Sequence, residues 1–568
     1  MSHQRYVIVG GVAGGMSAAA RLRRLDEEAE IIVFEQGPAV SFASCGLPYY
    51  VGGEIEEEAQ LLVQTPASLK AALNLDVRLH HKVIAVDASA HTVSVDGPAG
   101  EETIPYDQLI LSPGTVAARP PIEGLDHPSV NTLRTVADAV AIRGVARGGA
   151  KRAVVLGAGF IGLEAAEGLR ACGIEVTLLE AAPHVLPPLE QEMAWLVAEQ
   201  LREMGIDVRE GVAVTAISDG EGPNAGRAVV SLATGESVAA DLVLLSAGTA
   251  PATAVFREAG VACDPRGAML VDEHGRTNLP DIWAIGDAAI SRDAITGVKR
   301  PVPLAGPAQR AGRLVADAIA ADGWTRPLPN PLATAIVRVG DQTAAMTGAN
   351  RAGLTAAGLA FTTLHLHPWN HADYFPGAQQ VHLMVHIDPT SGQLLGAQAV
   401  GKAGVDKRID VLATAMRAGL GAADLIDLDL CYSPPYGSAK DPISMVGYLA
   451  DNVLTGRTVL WQPGDLEWAR REALVLDVRT PREFATGHLP EAINIPHTKL
   501  RERLDEVTAL AKGRHIAVLC QSGVRSYTAH RILAGAGLQS STLSGGMLTL
   551  RAWLGAQAAS IITEREKQ

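Results

Sequence analysis

Cysteine is scarce in this chain: five in 568 residues, at positions 45, 172, 263, 431 and 520. None of the spacings suits a zinc site, and the density is far below that of a secreted disulfide framework, so a reducing, cytoplasmic setting is expected. No apolar run reaches the ~20 residues that a membrane span needs. Met1 to Arg5 lead straight into an apolar strand, leaving no room for a secretory leader. Basic residues are outnumbered, 48 Lys and Arg against 62 Asp and Glu, and the net charge of −14 repels nucleic acid and anionic membranes. What is plentiful is apolar residues, 47% of the chain, over a length that suits about four folding units.

Glycine is placed where it carries chemistry. The strand Tyr6–Val9 runs into Gly10-Gly11-Val12-Ala13-Gly14-Gly15 and a helix predicted over Met16–Leu25; the next strand, Ile31–Phe34, ends at Glu35, 20 residues after Gly15. Glycines there admit a pyrophosphate to the helix N-terminus, and the acid accepts from a ribose hydroxyl. Val12 stands where the usual pattern has its second glycine. A second copy is complete: Ala153–Leu156, then Gly157-Ala158-Gly159-Phe160-Ile161-Gly162, then Val176–Leu179 closing at Glu180. An acid at 180 favours a free 2′-hydroxyl, hence NADH over NADPH. Two nucleotide folds in one chain point to electrons passing between two cofactors.

Cys45, in Ser41-Phe42-Ala43-Ser44-Cys45-Gly46-Leu47-Pro48-Tyr49-Tyr50, has no partner cysteine nearby, the next being Cys172. A redox disulfide at Cys45 must therefore form with something that is not its neighbour. Strand ends at Ser112-Pro113-Gly114 and at Ser246-Ala247-Gly248 mark crossings between domains, and a later strand runs through Trp283 to Asp287. Cys172, Cys263 and Cys431 lack basic or helix-start support and are expected to be small buried residues. His365, His367 and His371 have no nearby acid or cysteine, so strand and interface roles are expected in place of a metal site.

Near the C-terminus, strand Leu474–Asp477 precedes Arg479, Glu483 and His488, and strand Ile516–Leu519 leads to Cys520-Gln521-Ser522-Gly523-Val524-Arg525-Ser526 and a helix. Backbone N–H groups and Arg525 would favour a thiolate at Cys520 and would equally hold a sulfane sulfur or an oxyanion. A phosphatase-like loop has longer spacing; five residues from Cys520 to Arg525 suit sulfur better.

In this order, residues 5 to 450 resemble the FAD-dependent pyridine nucleotide–disulfide oxidoreductases. The resemblance implies an α/β chain with a FAD domain (1–115 and 250–325) split by an NAD(P)H domain (116–249), an α+β dimerisation domain (330–450), a linker (451–465) and a final α/β domain (466–560). It assigns Gly10 to Gly15, Glu35, Asp287 and the helix from Ala305 to FAD, and Gly157, Gly159, Ile161, Gly162, Glu180 and Gly248 to NADH. Residues 466–556 resemble single-domain rhodaneses, with Cys520 as the persulfide-forming nucleophile and Arg525 a loop residue. The Cys45 segment is most similar to the coenzyme A–disulfide reductases and persulfide reductases, with Ser44 standing where that group has asparagine.

That likeness implies a homodimer in which Tyr374 and Tyr432 reach the partner's cysteine in place of histidine. It further implies coenzyme A contacts from Ser41, Ser44, Arg21, Arg24 and Lys440. The expected activity is NADH-dependent reduction of coenzyme A disulfide, small-thiol persulfides or polysulfide, joined to sulfur transfer at Cys520. A single-cysteine NADH oxidase or peroxidase cycling through a sulfenic acid is an alternative, although Ala13 stands where the peroxidases have histidine. A sulfurtransferase regulated by its flavin is another.

Overall fold

Short apolar strands ending at glycine turns organise the first 333 residues. The computed structural model describes residues 4–320 and 325–563. Strand Arg5–Val9 lies parallel between Glu30–Glu35 and Gln108–Leu111, with Asp76–Leu79 and Ile282–Ala284 at the two edges. Val7, Ile8, Ile32, Val33 and Ile110 are fully buried, as parallel strands covered on both faces require. Arg152–Leu156 heads a second parallel sheet with Glu175–Leu179, Leu242–Leu245, Asp207–Arg209 and Val130–Asn131. Strand Ile282–Ala284 returns to the first sheet after the whole second one. The chain crosses between the sheets on the antiparallel pair Thr115–Ala117 and Thr249–Pro251, beside the expected exits at Gly114 and Gly248.

Helix Ala13–Leu25 begins three residues before its predicted start because the glycine turn itself forms the first helical turn. It crosses helix Ala305–Ala320 at backbone contact: a Cβ on Gly312 would lie 2.2 Å from the Gly14 carbonyl oxygen. The helix carrying the first glycine turn is thereby locked to the helix whose start was predicted at Ala305.

The described chain divides into two compact bodies, residues up to Pro183 with Leu201–Ala333, and His184–Gln200 with Thr334 onward. The second body holds an antiparallel sheet in the order Ala335–Val339, Gln342–Gly348, Leu394–Gly401, Val381–Ile387, Thr362–Leu366. Helices Val405–Ala418 and Pro442–Leu454 cover it, burying Ile409, Leu412, Ile443 and Val446. A parallel sheet follows, in the order Leu460–Trp461, Ser540–Leu543, Ile516–Leu519, Leu474–Asp477, Ile493–Asn494.

The stretch 451–465, expected as a connector, carries structure at both ends. Helix Pro442–Leu454 runs into it, and Leu460–Trp461 joins the C-terminal sheet, where the buried Trp461 indole N–H donates to the Val518 carbonyl at 3.3 Å. Only 455–459 links the two, because an apolar Leu-Trp pair gains more by completing a sheet edge than by staying in solvent.

Histidines join the two domains of this body. His365 Nδ1 lies 2.8 Å from Ser544 Oγ of the C-terminal domain, and its Nε2 lies 2.8 Å from Glu192 Oε1. His367 lies 2.8 Å from both Thr549 Oγ1 and His382 Nδ1. Arg351 bonds both Glu190 and Glu192, which ties the 184–200 segment into this body. Burial opposes ionisation of Glu192, but hydrogen bonds from His365 and Arg351 overcome it and hold the carboxyl below its usual range. Burial pushes His382 down to about 4 and His367 well below its ordinary value, and it also lowers His386 against the pull of Glu190.

An unfolded chain protonates these imidazoles near 6.5, whereas the folded one resists until about 4 at His382. Their contribution is therefore fully present above about 6.5 and is lost as pH falls towards 4; Glu192, with its lowered carboxyl, adds a further loss below about 4.5. Thermal melts from pH 8 to 4 should show the transition of this body falling across that window, with His382→Gln flattening the slope.

Candidate active sites

Both glycine turns are built alike. At Gly10 the backbone is left-handed, with φ of 103°, and a Cβ would sit 2.0 Å from the Ser112 carbonyl oxygen, so only glycine fits. The Gly11 N–H donates to Glu35 Oε2 at 2.9 Å and the Gly37 N–H to Glu35 Oε1 at 2.8 Å. In the second turn, the Ala158 N–H donates to Glu180 Oε2 at 2.7 Å and the Ala182 N–H to Oε1 at 2.8 Å. Each acid is thus fixed by its own turn, with lone pairs left for hydroxyls.

Neither following helix, Ala13–Leu25 nor Phe160–Ala171, has a side-chain N-cap, and a Cβ on Gly159 would meet nothing within 4 Å. Uncapped N–H groups beside an open glycine are what a pyrophosphate needs. Gly162 packs its helix onto the turn, a Cβ there falling 2.0 Å from the Gly157 carbonyl oxygen. Ile161 is half-buried beside it, and Gly248 sits at the crossing strands.

Asp287 lies in the turn Gly286–Ala288 after strand Ile282–Ala284. Burial raises its carboxyl pKa, and the charge of Arg134 partly opposes this. Arg134, which donates to the Thr115 carbonyl at 2.9 Å, escaped sequence reasoning because no spacing rule ties it to residue 287. Ala305 is the exposed first residue of its helix.

Cys45 is a free, exposed thiol in the turn Ser44–Gly46 at the start of helix Leu47–Gly52. Its loop is tied to the first glycine turn, the Ser41 N–H donating to the Gly11 carbonyl at 2.8 Å from a left-handed backbone with φ of 48°. The helix is tied to the second motif. A Cβ on Gly52 would lie 2.8 Å from Gly168 Cα, the Tyr49 hydroxyl lies 3.0 Å from Glu164 Oε1, and Cys172 Sγ lies 3.4 Å from the Val51 carbonyl. Arg143 stacks over Tyr50 at 4.1 Å and donates to the Ile55 and Glu56 carbonyls. Glu164 escaped sequence reasoning, because its helix also carries Glu167 and Arg170 and nothing in the pattern singles it out.

Cys172 and Cys431 are exposed and Cys263 half-buried, a departure from the expected burial: Cys172 ends its helix and Cys431 lies in a turn-rich loop. Tyr374 and Tyr432 come together, hydroxyls 3.4 Å apart, both largely exposed. Arg21 pairs with Asp317 at 2.5 Å, Arg24 donates to the Ala20 carbonyl within its own helix, and Lys440 is exposed.

In the C-terminal domain Cys520 follows strand Ile516–Leu519 and is completely buried. The Gly523 N–H donates to its Sγ at 3.2 Å, and Ser526 Oγ lies 3.5 Å away. Arg525, expected in the loop, occupies the first turn of helix Val524–Gly535, since Gly523 with φ of 96° ends the loop early. It donates to Glu483 through both terminal guanidinium nitrogens, at 2.8 and 2.6 Å. Asp477 and Arg479 form a buried pair at 2.6 Å behind the site.

Over residues 4–313 the sequence matches the pyridine nucleotide-disulphide oxidoreductases. The chain belongs to that family. Its dimerisation domain is matched over 334–441 and a rhodanese-like domain over 464–552. The coenzyme A disulfide reductase of Staphylococcus haemolyticus is 35% identical over 450 residues, 79% of this chain and 99% of that protein. Among solved structures, reduced Bacillus anthracis CoADR-RHD superposes with a TM-score of 0.93 at 38% identity, covering 99% of this chain and 100% of that one. An NAD-dependent persulfide reductase from A. fulgidus gives 0.89 at 36%, covering 96% and 100%. Membership of the oxidoreductase family implies FAD and NAD(P)H, and no described helix is long and apolar enough to cross a membrane.

The Gly52 contact gives a direct test in this oxidoreductase. Gly52→Ala forces the Cys45 helix off its neighbour, and turnover should fall about ten- to a hundred-fold with the circular dichroism spectrum unchanged. Stopped-flow reduction by NADH and the alkylation rate of Cys45 would report the displacement.

Proposed function

We propose that this oxidoreductase reduces coenzyme A disulfide and the persulfides or polysulfides of small thiols, with NADH as donor, through a mixed disulfide on Cys45. The observation that carries it is a solitary exposed thiol whose loop and helix are tied to both glycine turns. The turns fit their cofactors, with uncapped helix starts and acids fixed by backbone N–H groups. FAD would be held by Gly10 to Gly15, Glu35, Asp287 and Ala305; NADH by Gly157, Gly159, Ile161, Gly162, Glu180 and Gly248. Bound together, the cofactors would supply two electrons for cleaving the disulfide at Cys45.

The Cys45 thiolate attacks one sulfur of the substrate and the other departs with the bonding pair. With a persulfide, attack at the inner sulfur releases hydrosulfide and leaves the carrier thiol on Cys45. The paired phenols Tyr374 and Tyr432, offered by the partner subunit of a homodimer, hydrogen-bond the departing thiolate and supply its proton. Ser41 and Ser44 line the thiol pocket. Lys440 and Arg24 meet the coenzyme A phosphates, with Arg21 sharing its charge with Asp317. Cys520 carries sulfane sulfur in the same chain, with Arg525 at its loop. NADH is preferred because Glu180 repels a 2′-phosphate. A reducing cytoplasm suits a protein with five free thiols.

Cys45→Ser should abolish anaerobic NADH oxidation with coenzyme A disulfide or persulfide while leaving FAD bound, read by its visible spectrum. Turnover that survives with peroxide or air but not with these substrates would instead make it a peroxidase or oxidase, as would a sulfenic acid on Cys45. Mass spectrometry of the isolated protein should find a reductant-labile adduct of coenzyme A mass on Cys45. Cys520→Ser should spare disulfide reduction and remove sulfur transfer to cyanide; transfer without NADH use by the whole chain would favour a regulated sulfurtransferase.

A further inference from the structure

Two loops carry the paired phenols, and one buried guanidinium is bonded to both. Tyr374 lies in a loop closed at its base by Asn370 and Gln379: the Asn370 N–H donates to the Gln379 carbonyl at 2.8 Å, and the Gln379 N–H to Asn370 Oδ1 at 2.9 Å. Tyr432 lies in the stretch that ends at Asp441, whose Oδ1 accepts from the Ile443 N–H at 3.0 Å and caps helix Pro442–Leu454. The loops touch through the Ala372 N–H, which donates to the Gly437 carbonyl at 2.9 Å. Behind that contact stands Arg408 of helix Val405–Ala418, 1% exposed. Its Nη2 donates to the Asn370 carbonyl at 2.8 Å and to Asp441 Oδ2 at 2.9 Å, one nitrogen serving both loops, while Nη1 donates to the Gly404 carbonyl at 3.2 Å. Gly404, left-handed with φ of 74°, leaves the guanidinium its room: a Cβ there would lie 2.5 Å from Nη1. Lys407 Nζ stands 3.7 Å from the same Asp441 oxygen, beyond hydrogen-bonding reach.

We infer that Arg408 is a positioning residue for the reductase: by fastening Asn370 and Asp441 to one guanidinium it holds Tyr374 and Tyr432 in register as a pair. This rests on the reading of those phenols as the groups that meet the departing thiolate. Both phenols are largely exposed, so each takes its place from its loop more than from packing of its own. Against apolar residues of similar volume a buried ion pair adds little stability. What the guanidinium adds is direction, since its planar N–H groups leave at fixed angles and meet two loops at once. The hydroxyls lie 3.4 Å apart, at the outer limit of a hydrogen bond, so a small shift of either loop parts them. Lysine at 408 would keep the charge, reach one loop at a time and let the pair separate.

The test uses the full chain with FAD bound and compares Arg408→Lys with Tyr374→Phe and Tyr432→Phe. The hydrogen bond with Tyr432 holds the Tyr374 phenol above its ordinary value. Tyrosinate absorbance, assigned to Tyr374 by difference from Tyr374→Phe, should therefore rise at lower pH in Arg408→Lys, as it should in Tyr432→Phe. Turnover with coenzyme A disulfide should fall about ten- to a hundred-fold, with stopped-flow reduction of the flavin by NADH unchanged. In a chain already carrying Tyr374→Phe and Tyr432→Phe, Arg408→Lys should cost nothing further, because the pair it aligns is gone. A further loss there, or an unmoved Tyr374 titration, would overturn the assignment. Should Arg408→Lys fail to fold, Asp441→Asn is put through the same measurements. Tyr432→Phe, a change at an exposed side chain, decides independently: a Tyr374 titration that does not move shows that the phenols are not held together and refutes the proposal. If both phenylalanine variants turn over like the wild type while Arg408→Lys still moves the titration, the catalytic reading of the phenols falls and their alignment by Arg408 stands.

Discussion

Backbone-to-backbone contact at Gly52 and Gly168 is the constraint from which the reductase site follows. Two helices that touch without side chains between them cannot slide independently, so the element bearing Cys45 inherits the position of the helix that starts at the second glycine turn. The Ser41 hydrogen bond to Gly11 does the same from the other side. A lone thiol is thereby held by both nucleotide motifs, although it lies close in sequence to only one. Packing of this kind suits a site where a carrier sulfur must sit repeatedly in one geometry, because sub-ångström placement sets the rate of a displacement.

The second body solves a different problem, that of keeping a C-terminal domain in place with a very short link. Its answer is polar: His365, His367, Glu192 and Arg351 reach Ser544, Thr549 and one another, so each buried group has a partner. Buried polar networks are costly when incomplete and specific when complete, and this one names a single docked arrangement. Arg351 also lies over the Trp553 ring, adding an aromatic face to the same junction.

The strand and glycine patterns were legible because they follow from local rules. Strands 474–477 and 516–519 fall where short continuous apolar runs and turn residues place them, and the paired acids Glu35 and Glu180 lie at the strand ends that dinucleotide folds require. What escaped depends on distant partners. Arg134 beside Asp287, Glu164 beside Tyr49 and the seam at Glu192 have no periodicity in sequence, since each contact is set by how whole elements pack. The strand at Leu460–Trp461 was hidden for the same reason: two residues are too few for a pattern until the neighbouring strand is known. Tyr374 and Tyr432 were found by resemblance, and their meeting is a tertiary fact.

The two sulfur sites differ in exposure. Cys45 stands in solvent, while Cys520 has no accessible surface. Bulky electrophiles therefore meet the first thiol long before the second, and a reagent's girth decides which half of the protein it silences. Labelling of Cys520 is therefore a readout of its loop opening, while labelling of Cys45 is not, so exposure becomes a sorting property written into one polypeptide.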